Sequence, residues 1–422
     1  MNILWQTEHY PDTLRGGGSV VNTHYISCGL RNLGHDVVVL ARDSVTVTAK
    51  MEPSEEENVI RLQPPTLPPT FWPIWPVLEP LWLRDVLKAP TAAFEAFICH
   101  DPGYALAFKS LYSKRPVICR IAGAARMHDA AVEPESVKQL AKQIGYKKAV
   151  IRKLLAKQND WMDSRAWGKC DAVVVQSEFM RRDIMNLYRI EAGKIKVVPS
   201  GVDHERYGGT RSRAKTFKQI SNSNGSKCRI MFCGRLVRMK NTRYLIEGFA
   251  RMKFRGNCEL LIVGDGEERS QLEALTRSLG ILDSVRFLGQ IDSVEEAFAV
   301  ADIFVLPSVY EPFSNALIEA MASGLPCIAL KPDFHKVKTS CAEVIVDGEN
   351  GFLVNPGNPG DLAVKLDSLS GNLELRTKLG EAARTRSRKL YDWKTCAMQY
   401  AAAILEAQPE VNGLAKRGES DE

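Results

Sequence analysis

Short apolar runs recur along this chain, and segments whose apolar positions follow helical spacing lie between them. The clearest runs are NILWQT at residues 2–7, DVVVLA at 36–41, ADIFVL at 301–306 and CIAL at 327–330. Brief, almost wholly apolar runs are typical of strands buried on both faces of a parallel sheet. Strands that alternate with helices predict the α/β class, in which helices cover both faces of a sheet.

This alternation occurs twice, in two halves that a polar segment at residues 208–227 separates. A chain of 422 residues is also too long for one ordinary core. We therefore expect two α/β domains, each with a doubly wound parallel sheet. The expected parts are an N-terminal domain at 1–200, a linker at 201–227, a C-terminal domain at 228–389, a helix at about 390–407 that returns to the first domain, and a disordered tail at 408–422.

Composition and charge narrow the class of protein. No apolar stretch is long enough for a transmembrane helix, and the N-terminus MNILWQTEH lacks the charged region of a signal peptide. The 10 cysteines include no C-x-x-C pair, so we expect a cytoplasmic protein with reduced thiols and no metal site. The net charge of +6 suits an anionic ligand or membrane surface, and we expect no nucleic-acid partner.

One strand–loop–helix corner, at residues 307–326, carries the most specific chemistry. Its sequence is PSVYEPFSNALIEAMASGLP. Ser314 suits the N-cap of the helix, because its hydroxyl can accept from an amide of the first turn. Gly324 suits the position just past the helix end, and Pro326 prevents the helix from continuing.

The same corner combines an anion seat with two acids. The backbone N–H groups of Phe313, Ser314 and Asn315 lie at the helix N-terminus, which favours an anion. Glu311 lies in the loop and Glu319 in the second helical turn, where each carboxylate can accept hydrogen bonds from hydroxyl groups. A nucleotide-sugar needs these features for its diphosphate, ribose and sugar. For Glu319 alone, a solvated helix face is the alternative.

Two cations follow the first strand of the second half. That strand ends at Gly234, and Arg235 and Lys240 come before an amphipathic helix with Leu245 and Ile246. Cations at a strand end beside a helix start are well placed to bind a diphosphate. The alternative is two ordinary surface cations.

Several strings together resemble the family-4 retaining glycosyltransferases (glycosyl transferases group 1) of the GT-B fold. They are the E-x7-E of the corner with A-M-A-x-G-x-P, G-R-L-x-x-x-K-N from residue 234, V-x-P-x-G-V-D from 197 and the string at 346–352. The resemblance covers nearly the whole chain and is strongest from Val197 onward. It implies two Rossmann-like, doubly wound parallel-sheet domains that face a cleft.

The resemblance also implies roles for individual residues. The catalytic set would be Glu311, Arg235 and Lys240. The donor-binding set would be Gly17, Gly18, Arg235, Lys240, Gly266, Leu288, Phe313, Ser314, Asn315 and Glu319. The glycine loop that contains Gly17 departs from G-x-G-x-x-G, so a dinucleotide site is not expected there, and an ordinary turn is its alternative.

The chain departs from the family pattern at Ala122, where the family often has a histidine. Arg126, His128 or Asp129 in the next loop are candidates to replace it. His100, at the end of a strand, is either a site residue or a satisfied strand-end histidine. We take His100, Arg126 and His128 as candidate acceptor-binding residues.

Two surface features have open interpretations. The segment 64–82 is rich in proline and tryptophan; we expect no regular helix across most of it, and it either packs or contacts acceptor or membrane. The basic stretch 138–157 is either a solvated face or a peripheral contact with anionic lipid at the inner face of a membrane.

The expected function is that of a retaining hexosyltransferase. It would move a sugar from a nucleoside diphosphate sugar to a hydroxyl of a carbohydrate, lipid-linked or small-molecule acceptor, without a cofactor or metal. The alternative from another class is a non-catalytic partner subunit or nucleotide-sugar-binding protein. A phosphorylase would need a pyridoxal lysine site, and an epimerase would need a complete dinucleotide fingerprint; neither is found.

Overall fold

The computed structural model describes residues 1–7, 18–42, 52–53, 59–62, 75–88, 91–122, 146–208, 227–333 and 335–408. The chain forms two compact units, of which the first is Met1–Pro199 with Trp393–Glu422 and the second is Ser200–Asp392. Each unit contains one large parallel sheet with helices, as predicted. The segment 409–422, which belongs to the predicted tail, lies outside the described residues.

The first unit contains an eight-stranded sheet in the order β3-β4-β2-β1-β5-β6-β7-β8. The strands are β1 Asn2–Thr7, β2 Asp36–Arg42, β3 Glu52–Pro53, β4 Val59–Leu62, β5 Ala96–Cys99, β6 Val117–Arg120, β7 Ala172–Val175 and β8 Ile195–Val197. All neighbours are parallel except β3, which pairs antiparallel with β4. The predicted parallel sheet is confirmed, and the two-residue strand β3 adds an antiparallel partner at its edge, where Pro53 removes no central hydrogen bond.

Within the described residues, five helices of the first unit precede its last strand. They are α1 Gly18–Asn32, α2 Trp75–Leu87, α3 Pro102–Leu111, α4 Tyr146–Lys169 and α5 Glu178–Tyr188. Helix α2 covers the end of the proline-rich segment 64–82 and contains Pro76 and Pro80. Residues 64–74 lie outside the described residues, so the expectation of no regular helix across most of the segment stays a prediction. Pro76 lies in the first turn, where the missing N–H would have no helical partner, whereas Pro80 lies inside the helix.

The second unit contains a six-stranded parallel sheet in the order β11-β10-β9-β12-β14-β16 and a two-stranded sheet of β13 and β15. Its strands are β9 Cys228–Cys233, β10 Cys258–Val263, β11 Val285–Gly289, β12 Ile303–Leu306, β13 Tyr310–Glu311, β14 Cys327–Leu330, β15 Lys338–Thr339 and β16 Gly351–Val354. Its helices are α6 His204–Gly208, α7 Thr242–Ala250, α8 Arg269–Ser278, α9 Val294–Val300, α10 Asn315–Ala322, α11 Cys341–Val344, α12 Pro359–Ser370 and α13 Leu373–Leu390. Helix α6 lies in the segment that the sequence assigns to the linker.

Strand residues of the second sheet alternate between two buried cores. Ile230 and Phe232 contribute to the core on one face, and Met231 between them contributes to the core on the other. This follows from the two-residue period of a strand. Burial on both faces explains why the strands appear in the sequence as continuous apolar runs.

The last helix, α14 Trp393–Glu406, belongs to the first unit and packs along α1. Tyr25 stacks on Trp393, with ring centroids 5.0 Å apart. At Gly29 the two helices approach so closely that an added Cβ would lie 2.6 Å from Cβ of Ala397. A side chain at position 29 therefore has no room.

Replacing Gly29 with alanine should destabilise the first unit by about 1–3 kcal/mol, because the added methyl group overpacks the contact between α1 and α14. Gly168→Ala is the matched control, since Gly168 is also helical but has no atom within 4 Å of an added Cβ. There the change should be neutral or stabilising by up to about 1 kcal/mol. Urea unfolding measures both, and equal stabilities of the two variants would refute the close packing.

Candidate functional site

The predicted catalytic residues lie at the point where the strand order of the second sheet reverses. In open α/β sheets, ligands bind at the carboxyl ends of the strands at such a point. The reversal falls between β9 and β12, which are neighbours in the sheet. Arg235 and Lys240 follow β9, and Glu311 follows β12.

Lys240 and Glu311 form an ion pair with one another. The Glu311 side chain is only 8% exposed and that of Lys240 is 21% exposed, so the pair is largely shielded from water. The hydroxyl of buried Ser308 donates to the same carboxylate oxygen, Oε2, over 3.2 Å. Lys240 and Glu311 were predicted to share one site, but their pairing and the contact of Ser308 were not predicted.

The loop that carries Glu311 is held by backbone hydrogen bonds on two sides. Glu311 pairs with Thr339 in the parallel β13–β15 ladder, and its carbonyl accepts from Ser340 N over 3.0 Å. On the other side, Val309 N donates to the carbonyl of Met239 over 2.9 Å. Because Met239 directly precedes Lys240, this bond ties the two turns that carry the ion pair.

Glycines allow the turns after β9 and β10 to approach one another. An added Cβ at Gly264 would lie 2.0 Å from Gly234 O, and at Gly266 it would lie 2.3 Å from Leu236 O. Gly264 also has a φ of +121°, which side-chain-bearing residues rarely adopt. The close approach of the two backbones therefore requires a glycine at position 266, independently of the predicted role of Gly266 in donor binding.

The turn after β11 lies beside these two. Gly264 N donates to Gly289 O over 2.7 Å, and the partly buried Leu288 packs on the core next to that glycine. The structure therefore places Leu288 at the same edge of the sheet as the other predicted donor residues.

Helix α10 begins and ends as predicted. The Ser314 hydroxyl accepts from Leu317 N over 3.3 Å, so Ser314 is the N-cap. Gly324 follows the helix with a φ of +77°. Asn315 is the first helical residue, and Phe313 packs edge-on against Tyr391 with ring centroids 5.8 Å apart.

Glu319 of α10 is only partly exposed and hydrogen-bonds with the hydroxyl of Tyr207 in α6. Burial raises the pKa of Glu319 to about 7, and the charge of Glu295 acts in the same direction. The bond from Tyr207 and the charge of Arg206 oppose this shift. Tyr207 was not predicted, since nothing in the sequence connects it with Glu319.

The thiol of Cys233, the last residue of β9, lies near the charged groups of Lys240 and Glu319. Burial raises the pKa of Cys233 to about 12; the charge of Glu319 raises it further and that of Lys240 lowers it. Both charged groups thus act at the end of β9. The side chain of Arg235 is exposed and makes no hydrogen bond or ion pair within the described part of the chain.

The strand order of the first sheet reverses between β1 and β5, and His100 follows β5. His100 Nε2 accepts from Trp5 Nε1 over 3.2 Å. Burial, and then the charge of Arg120, lower the pKa of His100 well below its usual range, so the ring is neutral. The side chain of Gln6 accepts from the backbone N–H groups of His100 and Asp101 at 3.0 and 2.9 Å, which joins the two strands.

A carboxyl group that the sequence analysis did not identify lies near this edge. Burial raises the pKa of Asp163 in α4 to about 7, and the charges of Asp160 and Asp101 add to the shift. Asp101 itself caps α3 by accepting from Gly103 N over 2.7 Å. Only the helical spacing of Asp160 and Asp163 hints at this pair in the sequence.

The remaining predicted residues are only partly described. Gly17, Arg126, His128 and Asp129 lie outside the described residues. Gly18 is the first residue of α1, and Ala122, at the family's histidine position, is exposed.

Across the described ranges, no group of three or more His, Cys, Asp or Glu side chains is arranged to hold a metal ion. The same ranges contain no helix that is both long and apolar enough to cross a membrane.

Two family models match the chain. Glycosyl transferases group 1 matches residues 213–386, and Glycosyltransferase Family 4 matches residues 16–206. An uncharacterized glycosyltransferase of Methanocaldococcus jannaschii is 28% identical over 231 residues, which are 54% of this chain and 58% of that protein. The chain spans about half the length of this and two further curated relatives, namely 58%, 45% and 42%.

Solved structures share the fold over nearly the whole chain. Sucrose-phosphate synthase from Thermosynechococcus elongatus is similar with a TM-score of 0.73 at 20% identity, covering 96% of this chain and 98% of that one. Anabaena Alr3699/HepE in complex with UDP-glucose is similar with a TM-score of 0.68 at 18% identity, covering 96% and 100%.

The raised pKa of Glu319 predicts a pH-dependent cost in stability. Below about pH 4 the carboxyl group is protonated in both the folded and the unfolded chain, since its ordinary pKa is about 4.3. As the pH rises toward 7, the unfolded chain loses this proton before the folded chain does, so the free energy of unfolding falls.

Glu319→Gln removes that titration while keeping an acceptor for Tyr207. The stability of the variant relative to the wild type should therefore increase between about pH 4.5 and pH 7 and then level off. Urea unfolding across this range measures the difference. A difference that stays constant with pH would contradict the burial of the Glu319 carboxyl.

Proposed function

Because the chain belongs to the glycosyl transferases group 1 and to Glycosyltransferase Family 4, we propose that it transfers a hexosyl group from a nucleoside diphosphate sugar to an acceptor hydroxyl, with retention of anomeric configuration. The observation that supports this most is the Lys240–Glu311 pair, which lies near Glu319 at the strand-order reversal of the second sheet. Retention rests on the family resemblance.

The donor diphosphate would meet Arg235 and Lys240. Arg235 is exposed and unpaired within the described residues, and Lys240 is held at its position by Glu311. As the bond from the sugar to the diphosphate breaks, negative charge grows on the leaving oxygen. A fixed ammonium group stabilises that charge more than the ground state, which lowers the barrier.

The two carboxylates would bind hydroxyl groups of the donor. Both contacts to Glu311 use Oε2, and no described residue hydrogen-bonds with Oε1, which leaves that oxygen for the transferred sugar. Glu319 would bind the ribose, while Tyr207 holds its carboxyl group in place.

UDP-glucose is the first donor to test, since the similar Anabaena structure contains it. The acceptor would be a carbohydrate, a lipid-linked sugar or a small molecule. We place its site at the carboxyl edge of the first sheet, near His100 and Asp163.

The test is a panel of UDP-glucose, GDP-mannose and ADP-glucose, with the melting temperature and the release of nucleoside diphosphate as readouts. One donor should raise the melting temperature and turn over. Lys240→Ala should lower kcat about 100-fold or more. Arg238→Ala, from the same turn but outside the pair, is the matched control and should retain turnover. Binding without turnover would indicate the non-catalytic alternative, and no binding of any donor would refute the proposal.

We further propose that α4 contacts an anionic membrane surface. Tyr146, Leu154 and Trp161 are 67%, 61% and 48% exposed, and they recur about every two turns on one face of the helix. Lys153 and Lys157 share that face. Exposed aromatic and aliphatic side chains beside lysines are typical of helices that lie in a membrane interface.

Reversing the charge of both lysines, as Lys153→Glu with Lys157→Glu, should remove binding to vesicles that contain phosphatidylserine. Wild-type binding should fall steeply as salt is raised, because screening weakens attraction to the lipid head groups. The control is Lys378→Glu with Lys389→Glu, which makes the same charge change on exposed positions of α13. Vesicle co-sedimentation measures all three proteins, and equal binding by both double variants would refute a specific role of α4.

A further inference from the structure

A cavity of about 470 Å³ opens in the second unit, away from the candidate donor residues. Asp302, directly before β12, and Pro326, directly before β14, both line it, so it lies at the amino ends of these strands. The candidate donor residues follow the carboxyl ends. A four-residue strand is about 13 Å long, so a ligand in the cavity does not occupy the carboxyl edge where the candidate donor residues lie.

The volume and lining of the cavity suit a small molecule, because such sites usually measure about 300–1,000 Å³ and combine apolar walls with few polar groups. The apolar wall comes from α9, from the turn after α10 and from the first residue of α13. Its main members are Phe298, Leu325, Pro326 and Leu373.

Two arginines of α13 contribute the polar side of the wall. Arg376 donates to the carbonyl groups of Leu369 and Ser370 at 2.6 and 2.8 Å. Arg384 donates through Nη2 to the carbonyl of Ser323 over 2.9 Å. Among the described residues, neither guanidinium group has a carboxylate partner, so their positive charges are uncompensated by an ion pair.

Arg384 has a nitrogen atom that can donate a hydrogen bond but has no acceptor among the residues described. Its Nε is shielded from solvent and has no hydrogen-bond partner within the described part of the chain. The guanidinium lies against Gly324, where an added Cβ would be 2.7 Å from Nη2 and 3.0 Å from Nε. Gly324, which caps α10, therefore also makes the room that Arg384 needs at the cavity.

Two carboxylates also line the cavity. Asp302 already accepts from Arg229 N over 2.9 Å, and Glu381 is exposed. A ligand with an anionic group and hydroxyl groups would suit this wall. The anionic group would pair with the arginines, and the hydroxyl groups would donate hydrogen bonds to the carboxylates.

We propose that this cavity is a second binding site, for a small hydroxylated ligand that carries a phosphate on an apolar body and pairs with Arg376 and Arg384. The site is separate from the candidate donor residues Arg235, Lys240 and Glu311, although Tyr207 belongs to its wall and also hydrogen-bonds with Glu319. Arginine suits this role because its planar fork of donors matches phosphate oxygens.

Calorimetric titration with phenyl phosphate, on the protein alone and on protein with excess UDP, tests the proposal. One equivalent should bind, at least tenfold more tightly than inorganic phosphate or phenol. Inorganic phosphate lacks the apolar body, and phenol lacks the phosphate. Arg384→Ala should weaken binding at least tenfold. Thr377→Phe fills the cavity from an exposed position and keeps both arginines, so it tests the site even if Arg384→Ala unfolds.

Arg388→Ala, an exposed change on the same helix outside the cavity wall, should bind like the wild type. Three results would each overturn the proposal. They are no binding by the wild type, wild-type binding by both Arg384→Ala and Thr377→Phe, and competition by UDP, which would place the phosphate at the donor corner.

Discussion

Lys240 and Glu311 reach one another from the ends of two neighbouring strands and pair where little solvent penetrates. Removing one partner of such a buried pair typically costs about 3–5 kcal/mol, because the other charge is left unpaired. The backbone bond from Val309 to Met239 brings the two turns together, and the Ser308 hydroxyl orients the carboxylate. The position of every other group at this edge is set relative to these turns.

Close backbone packing between the turns after β9, β10 and β11 supports this ion pair. Gly264 and Gly266 let the turns after β9 and β10 touch, and the bond from Gly264 to Gly289 adds the turn after β11. The turns after β9, β10 and β11 therefore form a continuous layer of backbone, from which Arg235 and Lys240 extend. A layer built this way is preorganised, so its charges need little rearrangement when a ligand binds.

Local rules allowed much of this to be predicted from the sequence. The Ser314 cap, the turn at Gly324 and the apolar strands depend on residues close together in the chain, and all are confirmed. The Lys240–Glu311 pair joins residues separated by 71 positions, so only the fold shows it. The contact of Tyr207 with Glu319 was missed because tertiary packing, not local pattern, decides it.

We propose that a nucleoside diphosphate binds at the carboxyl edge of the second sheet. A crystal structure of the protein with UDP would show whether it does. We predict the diphosphate beside Arg235 and Lys240, near the amides of Ser314 and Asn315, with the ribose hydroxyl groups at Glu319. Nucleotide bound elsewhere, with this edge occupied only by solvent, would contradict the account.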